Sequence, residues 1–336
     1  MNKVLYLGNK FFKYKKVKSV METLEPLLSE FCTLKTASDK EHQGLRFIDM
    51  LYHFFRYAPQ ADKIIIDVYS TKAFYFAYAF AQLSKIFCKK YILFLHGGNL
   101  PHRYAQSQSM VDAIFSKADA IIAPSPYLKT FFESKGYSVQ HIPNIIELEQ
   151  YPYKSRDTIK PRFLALRGFG KPYNPLMTLK AMLEIKKSYN DFHLLMLGNE
   201  NEYYYKDVVA FVQKHNLTEN IIIQTKMTRD NWVKLSQEYD IMISNPVIDN
   251  TPVSLIEGMA LGMCVISTRV GGVPYLLNEG YDGFMISNNS AEELVFKIKF
   301  LLHQDKNFSF ISNNARKKSE EFSWENVKNI WLKILN

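Results

Sequence analysis

The sequence predicts an α/β protein built from two doubly wound, Rossmann-like domains. Short runs of β-branched and aromatic residues recur along the chain, and segments with helical periodicity separate them. Such alternation is typical of parallel sheets wrapped by helices, with strands covered on both faces. The length of 336 residues, about twice that of a usual domain, independently favours two domains. The apolar runs lie at residues 4–7, 64–68, 91–95, 120–123, 163–166, 193–197, 221–224, 241–244 and 265–268.

The boundary between the two domains is expected within residues 150–161. A Rossmann-like series of strands ends near residue 143, a polar segment follows, and Phe163 begins a new first strand. The predicted domains are therefore residues 1–150 and 161–322. Sheets of this kind bind ligands at the carboxyl ends of their strands, so we expect the two domains to face each other across a cleft that holds the ligand.

Residues 323–336 are expected to form an amphipathic helix of their own, with Ser323 as its N-cap. The apolar face of this helix needs an apolar surface to cover. Two placements are open: packing on the second domain, or a return across the cleft to the first domain. The residues on that face are Val327, Ile330, Trp331 and Ile334.

The composition excludes several classes of protein. With 47% hydrophobic and 22% charged residues, the chain is neither disordered nor collagen-like nor a coiled coil. Three widely separated cysteines argue against a disulfide framework and a structural zinc site, and favour a reducing compartment. The N-terminus lacks the apolar core of a signal peptide, and the longest apolar stretch, residues 73–83, is about half a membrane span. We therefore expect a cytoplasmic protein.

The net charge of +9 predicts an anionic partner, which leaves phosphate, nucleic acid and lipid headgroups open. Five lysines between Lys10 and Lys18 alternate with aromatic residues and include no acid. This segment is either the solvated entry to a helix or a patch that binds an anionic membrane surface. Nucleic acid is disfavoured, because the basic excess is diffuse and no nucleic-acid-binding motif is present.

The segment from Asp249 to Glu257, DNTPVSLIE, follows an apolar strand and predicts a loop that opens into a helix. Thr251 or Asn250 is suited to cap this helix, and Pro252 is suited to its first turn. A helix start of this kind presents free backbone N–H groups and a positive dipole end to an anion. The two carboxylates, eight positions apart, are expected to contact different parts of one ligand.

Two further anion sites are predicted in the second domain. Gly271 and Gly272 follow a strand, so their backbone is able to approach a phosphate, although a glycine pair is commonly just a turn. Arg167 and Lys171 stand among glycines after the strand that begins at Phe163. Fixed cations at a strand end suit a diphosphate, although many surface cations are merely solvated.

In the first domain, His96 follows an apolar strand and is followed by two glycines, which places its imidazole at the predicted cleft. A single histidine is commonly structural; its position here favours function. Gly8 and Asn9 form another turn directly after the first strand. The chain contains no GxGxxG, GxxxxGK[ST] or HExxH motif, so standard dinucleotide, P-loop and zinc-protease chemistries lose their main support.

The segment DNTPVSLIEGMALGMCVISTRVGGVPYLL, beginning at Asp249, resembles the group 1 (family-four) retaining glycosyltransferases. Their second domain carries an acidic residue and a glutamate eight positions later, then a small-residue helix, a strand and a Gly-Gly turn. The resemblance extends over almost the whole chain and implies the GT-B fold. Its other elements are LHGGN at 95–99, APSPYLKTFF at 123–132, IPNIIEL at 142–148, the arginine turn at 167–175 and FSWENV at 322–327.

The resemblance implies a role for each matching residue. Glu257 matches the residue that holds the ribose hydroxyls of the nucleotide, and Asp249 matches the one, normally Glu, that contacts the transferred sugar near its reacting carbon. Arg167 matches the diphosphate-binding arginine. The family lysine falls on Pro172, which leaves Lys171, one position earlier, as the candidate. The loop that contacts sugar and phosphate through its backbone corresponds to Thr251, Val253 and Ser254, and His96 corresponds to a residue near sugar and acceptor.

The implied activity is retaining transfer of a sugar from a UDP- or GDP-sugar to a glycan or lipid-linked acceptor, without a metal or other cofactor. The implied setting is synthesis of a surface polysaccharide or glycolipid at the inner face of the membrane. A nucleotide-sugar 2-epimerase or a phosphorylase on the same fold stays open. So does a non-catalytic protein that binds a sugar nucleotide.

Overall fold

The computed structural model describes residues 1–10, 18–303 and 308–336, and the chain divides into two compact units. The first unit comprises Met1–Ile145 and Trp324–Asn336, and the second comprises Ile146–Ser323. The division falls a few residues before the boundary predicted at 150–161. Residues 11–17, the middle of the lysine-rich segment, lie outside the described residues. At the edge of that segment, Lys10 forms an ion pair with Glu25 at 2.7 Å.

The described part of the first unit contains a six-stranded parallel sheet in the order β2-β1-β3-β4-β5-β6. The two central strands β3 and β4 are buried on both faces, as their apolar sequences predict. The strands are β1 Lys3–Leu7, β2 Thr33–Ala37, β3 Lys63–Val68, β4 Lys90–Leu95, β5 Ala120–Ala123 and β6 Gln140–His141. The helices are α1 Val20–Ser29, α2 Gln43–Tyr57, α3 Phe74–Ile86, α4 Leu100–Gln106, α5 Gln108–Phe115 and α6 Pro126–Glu133.

The second unit repeats this design: its described residues form a six-stranded parallel sheet in the order β12-β11-β10-β7-β8-β9. The strands are β7 Arg162–Ala165, β8 His193–Leu197, β9 Ile221–Gln224, β10 Ile241–Ser244, β11 Cys264–Thr268 and β12 Phe284–Ile286. The helices are α7 Pro175–Lys186, α8 Tyr205–Lys214, α9 Arg229–Ser236, α10 Val253–Ala260, α11 Val273–Leu276, α12 Ala291–His303 and α13 Phe308–Glu320. Two doubly wound sheets, as predicted, are confirmed.

In each sheet the strand order reverses between two neighbouring strands, β1 and β3 in the first unit and β7 and β10 in the second. The loops after such strands diverge and leave a crevice at the carboxyl edge of the sheet. Gly8 and Asn9 follow β1, and Arg167 and Asp249 follow β7 and β10. The topology therefore gathers the predicted residues of each unit at that unit's crevice.

The last helix, α14 (Trp324–Leu335), belongs to the first unit, which decides between the two placements left open by its sequence. Trp331 is buried edge-to-face against Phe94 of β4, with ring centroids 5.4 Å apart. The amide of Asn2 donates to the Leu335 carbonyl at 2.7 Å, and the ammonium of Lys63 donates to the Ile334 carbonyl at 2.5 Å. Of the helices in the described ranges, none has the length and apolar character that spanning a bilayer demands.

Candidate functional site

Two predicted residues of the second unit, Arg167 and Asp249, lie side by side at its crevice. Nη2 of Arg167 donates to Oδ2 of Asp249 at 2.5 Å, although the two residues are 82 positions apart. Parallel pairing of β7 with β10 brings them together, because Arg167 follows one strand and Asp249 the other. The guanidinium also lies over the Tyr173 ring, 4.7 Å from its centroid. Two contacts of different kinds thus fix the orientation of this cation.

The guanidinium keeps unused hydrogen-bonding capacity. Its side chain is 25% exposed, whereas that of Asp249 is 11% exposed. Within the described residues, the buried Nε of Arg167 has no acceptor. Burial lowers the pKa of Arg167, but the neighbouring Asp249 carboxylate more than compensates, so the pKa is raised overall. Arg167 is therefore a permanent, positioned cation with a donor left for an anion.

The loop that carries Asp249 rests on the Gly271-Gly272 turn. The Gly272 N–H donates to the Asp249 carbonyl at 3.1 Å. Gly271 has a positive φ of 52°, and a Cβ there would collide with the same carbonyl oxygen. Gly271 therefore lets the two loops approach closely. The observed contacts show this packing role; a role in binding phosphate stays a prediction.

The helix after Asp249 begins differently from the prediction. Its N-cap is Pro252, so the prediction that Thr251 or Asn250 caps the helix was wrong. Proline has no side-chain acceptor for the first-turn N–H groups, and within the described part of the chain α10 lacks a side-chain cap. The buried Ser254 hydroxyl likewise has no partner among the described residues. The start of α10 therefore offers donors next to Asp249.

Glu257 lies one turn into α10, and residues outside the motif hold its carboxylate. The Tyr151 hydroxyl donates to Oε1 at 2.6 Å. Tyr151 is itself buried and packs near Trp232, and Arg229 of α9 pairs with Glu147 at 3.0 Å beside it. Only one carboxylate oxygen is used by Tyr151, so the other is free to accept from a ligand hydroxyl. No pattern in the sequence indicates this role for Tyr151, which lies in the segment predicted to be a domain boundary.

Lys171, the candidate for the family lysine, points elsewhere. It begins a 3₁₀ turn, Lys171–Tyr173, and its ammonium lies 3.9 Å from the centroid of the Tyr203 ring. The structure thus does not bring Lys171 into contact with the Arg167–Asp249 pair. Its role toward a phosphate stays a prediction.

The predicted residues of the first unit surround a carboxylate that the sequence analysis missed. Nε2 of His96 lies 2.7 Å from Oδ1 of Asp67, and both side chains are almost wholly buried. A carboxylate only accepts, so Nε2 of His96 is the donor in this contact. Tyr6 and Tyr69 also donate to Asp67, at 2.9 and 3.3 Å. An acidic residue inside the apolar run IIIDV was the available signal for Asp67.

Gly8 and Asn9 complete this first-unit cluster. A Cβ on Gly8 would collide with the Asp67 carboxylate, so the close approach of the turn requires glycine. The Asn9 side-chain oxygen accepts from Nη1 of Arg46 at 3.2 Å. His96, Gly8 and Asn9 thus come together as one polar cluster. In the described ranges, no group of three or more His, Cys, Asp or Glu residues is placed to hold a metal ion.

Replacing Tyr151 by phenylalanine tests how Glu257 is positioned. We expect the dissociation constant for UDP or GDP, the ligands that the resemblance implies, to rise about 3- to 10-fold, because one hydrogen bond that orients the carboxylate is lost. Tyr153→Phe is the matched control: its hydroxyl bonds to Asn313 and does not contact Glu257. Equal effects of the two variants would show that Tyr151 does not position the carboxylate.

Glu257 also gives the unfolding free energy a specific pH dependence. Burial raises its pKa, although the Tyr151 hydrogen bond and the nearby Arg229 charge oppose this. A carboxyl with a raised native pKa contributes stability below its unfolded pKa and loses that contribution as the pH rises. As the pH rises above about 4, the ordinary pKa of an unfolded glutamate, the wild type should therefore lose stability relative to Glu257→Gln. Urea midpoints across this range measure the difference, and a difference that does not change with pH would contradict the shift.

Comparison with known proteins finds a family model that matches the second unit. Residues 154–318, nearly half of the chain, match the family model described as "Glycosyl transferases group 1". This segment is thus similar to the group 1 glycosyltransferases, in agreement with the family resemblance of the sequence. The match covers β7 and α10, and hence Arg167, Asp249 and Glu257.

The curated relatives are distant and longer than the matched region. An uncharacterized glycosyltransferase of Methanocaldococcus jannaschii is 27% identical over 40% of this chain and 38% of its own length. A Campylobacter jejuni enzyme is 21% identical over 48% of this chain and 44% of its own length; its name describes an α-1,4-N-acetyl-D-galactosaminyltransferase acting on an undecaprenol-diphosphate-linked saccharide. The chain thus spans less than half the length of these relatives.

Solved structures match the whole chain and confirm the GT-B fold. Sucrose-phosphate synthase from Thermosynechococcus elongatus gives a TM-score of 0.81 at 15% identity, over 99% of this chain and 98% of that one. The Anabaena protein HepE in complex with UDP-glucose gives a TM-score of 0.77 at 15% identity, over 100% and 99%. At this level of identity the likeness concerns the fold alone.

Proposed function

We propose that the protein is a retaining, metal-independent glycosyltransferase that moves a sugar from a UDP- or GDP-sugar to a glycan or lipid-linked acceptor. The observation that carries this proposal is the arrangement of Arg167, Asp249 and the uncapped start of α10 in the second unit. The structural likeness to a protein solved with UDP-glucose supports the donor class. The C. jejuni relative supports a lipid-linked acceptor.

In this proposal the diphosphate of the donor lies against Arg167 and the first N–H groups of α10. The bond between the anomeric carbon and the diphosphate oxygen breaks, and its electron pair stays on the leaving diphosphate. Donors already aimed at that oxygen stabilise the charge that develops there, which lowers the barrier more than it strengthens substrate binding. Because Arg167 and the helix start are fixed before the substrate arrives, little reorganisation is needed.

The acceptor hydroxyl attacks the anomeric carbon from the face that the diphosphate leaves, so the anomeric configuration is retained. Its proton passes to an oxygen of the departing phosphate, which balances the step without a protein nucleophile. Asp249 stays near the sugar, because its carboxylate is held by Arg167 and by the Asn250 N–H at 2.8 Å. Glu257 binds the ribose through the oxygen that Tyr151 leaves free. His96 is proposed to contact the sugar or the acceptor.

The decisive experiment incubates the protein with UDP- and GDP-sugars, with and without a polyprenyl-diphosphate-linked saccharide, in the presence of EDTA. The expected result is a product one sugar longer, an equal amount of nucleoside diphosphate, and an α-linkage from an α-donor by NMR. An epimerised donor without acceptor would favour the epimerase, and phosphorolysis of a glycan would favour the phosphorylase. Nucleotide binding without turnover on any acceptor would favour the non-catalytic protein.

We further propose that the acceptor belongs to surface polysaccharide or glycolipid synthesis and that the protein works at the inner face of the membrane. This setting follows from the lipid-linked acceptors named for relatives and from the basic excess of the chain. Membrane contact through the segment from Lys10 to Lys18 stays a prediction, since most of that segment lies outside the described residues.

A further inference from the structure

An exposed apolar stripe runs along helix α2 of the first unit. Leu45, Ile48, Tyr52 and Phe55 are 59%, 63%, 63% and 53% exposed. At about 100° per residue these four positions fall within an arc of about 80°, and they extend over about 15 Å of the helix. We call them the α2 stripe. The ring of Phe87, which is also exposed, lies 5.8 Å from that of Phe55 and widens the stripe at its end.

The stripe is not the core face of α2. The inward face is occupied by Met50, Phe54 and the side chain of Arg46, all of them buried. Arg46 bonds to the carbonyls of Lys40 and Glu41 at 2.8 and 2.7 Å. Large apolar side chains thus face solvent as well as the core, whereas an ordinary surface helix is polar on its outer face. A continuous exposed apolar surface of this kind marks an interaction site.

The net charge of the chain lies entirely in the unit that carries the stripe. The first unit contains 21 Lys and Arg against 12 Asp and Glu, and the second contains 21 of each, so the whole net charge of +9 belongs to the first unit. Without residues 11–17 and 304–307, the described parts of the two units still carry +6 and 0. The exposed Arg56 follows the stripe directly on α2.

We propose that the α2 stripe is the surface through which this protein docks on an anionic lipid bilayer. Aliphatic and aromatic side chains on one face of a helix insert into the headgroup region, and basic residues around them are attracted to anionic lipids. A second copy of the chain fits this surface less well, because two first units with the same large positive charge repel each other. The proposal extends the proposed function by naming the surface that meets the acceptor's membrane.

Vesicle sedimentation without any donor tests the docking, so its outcome is independent of glycosyl transfer. The wild type should bind vesicles of phosphatidylglycerol with phosphatidylcholine and should not bind phosphatidylcholine alone. The triple variant Ile48→Ser, Tyr52→Ser, Phe55→Ser should bind at least about 30-fold more weakly, because each partly buried side chain contributes to the transfer free energy. It should keep the wild-type affinity for UDP or GDP.

A matched control comes from the neutral second unit. Tyr281, Phe296 and Phe310 are 50%, 66% and 51% exposed, and their triple replacement by serine should leave vesicle binding unchanged. Tryptophan fluorescence is a separate readout. Lipids brominated in their acyl chains should quench the fluorescence of Tyr52→Trp, and they should leave the fluorescence of Phe296→Trp unchanged.

Several results would overturn the proposal. One is that the wild type fails to bind anionic vesicles at low salt, and another is that the stripe and control variants lose vesicle binding equally. The third such result is Tyr52→Trp fluorescence that brominated lipids do not quench. A wild-type dimer in sedimentation velocity that the stripe variant dissociates would assign the surface to a second copy instead. Equal thermal unfolding of wild type and variants ensures that a loss of binding is not a loss of folding.

Discussion

Replacing Arg167 by alanine is expected to weaken the binding of UDP or GDP about 100-fold. Each of two charge-assisted hydrogen bonds from the guanidinium contributes about 1.5 kcal/mol or more to the binding free energy. The loss of both raises the dissociation constant about 100-fold. The cation is oriented before the ligand binds, by Asp249 at 2.5 Å and by the Tyr173 ring at 4.7 Å. Titration calorimetry with the nucleoside diphosphates, and with the nucleosides alone, measures the effect and separates phosphate from base.

Three further variants locate the effect at the diphosphate. Arg167→Lys should bind with intermediate affinity, since an ammonium keeps the charge but loses the planar fork of donors. Asp249→Asn should bind the diphosphate at least as well as wild type, because it releases the guanidinium from its ion pair, yet it should turn over more slowly. Arg162→Ala, at the other end of β7, is the control and should bind normally. Wild-type affinity in Arg167→Ala would remove the basis for the proposed donor site.

Replacing Arg156 by alanine is expected to lower the unfolding free energy by about 3–5 kcal/mol, the cost of leaving a buried charge without its partner. Arg156 is 2% exposed and lies in the segment before β7. Its Nε donates to Oδ1 of Asp240 at 3.1 Å, and its other nitrogens donate to the carbonyls of Leu261 and Tyr239 at 2.6 and 2.8 Å. One side chain thus joins the segment before β7 to residues at the ends of α9, β10 and α10.

Urea unfolding of Arg156→Ala and of Arg162→Ala measures this effect against a control. Arg162 is partly exposed and bonds to the carbonyl of Asp191 at 2.6 Å, so its loss should be about 1 kcal/mol or less. The double variant Arg156→Met, Asp240→Leu should recover much of the lost stability, because an apolar pair of similar volume leaves no buried charge unpaired. Equal midpoints for Arg156→Ala and Arg162→Ala would show that Arg156 does not hold the second unit together.

The sequence sufficed for the parts of the site that follow local rules. Arg167, Asp249 and His96 were predicted because each follows an apolar strand, and the carboxyl ends of parallel strands form the binding edge. The same rule predicts that Gly8 and Asn9, directly after β1, lie at the binding edge of the first unit. The wrong prediction about the cap of α10 has a local cause as well: Pro252 itself stands at the N-cap, one position later than the expected Thr251.

The residues that were missed act over long separations in sequence. Tyr151 reaches Glu257 across 106 positions, and Arg156 reaches Leu261 across 105. Such contacts depend on how the segment before β7 packs against α10, and in the sequence a polar run with two tyrosines is equally typical of a linker. Helix α2 is apolar on both faces, so periodicity alone does not tell its exposed stripe from its buried one.

A crystal structure of the protein with UDP or GDP tests the central claim most directly. The proposal predicts diphosphate oxygens about 2.7–3.0 Å from the Arg167 guanidinium and from the first N–H groups of α10, with the ribose at Glu257. A nucleotide bound with its diphosphate away from both, while Arg167 keeps only its bond to Asp249, would contradict it.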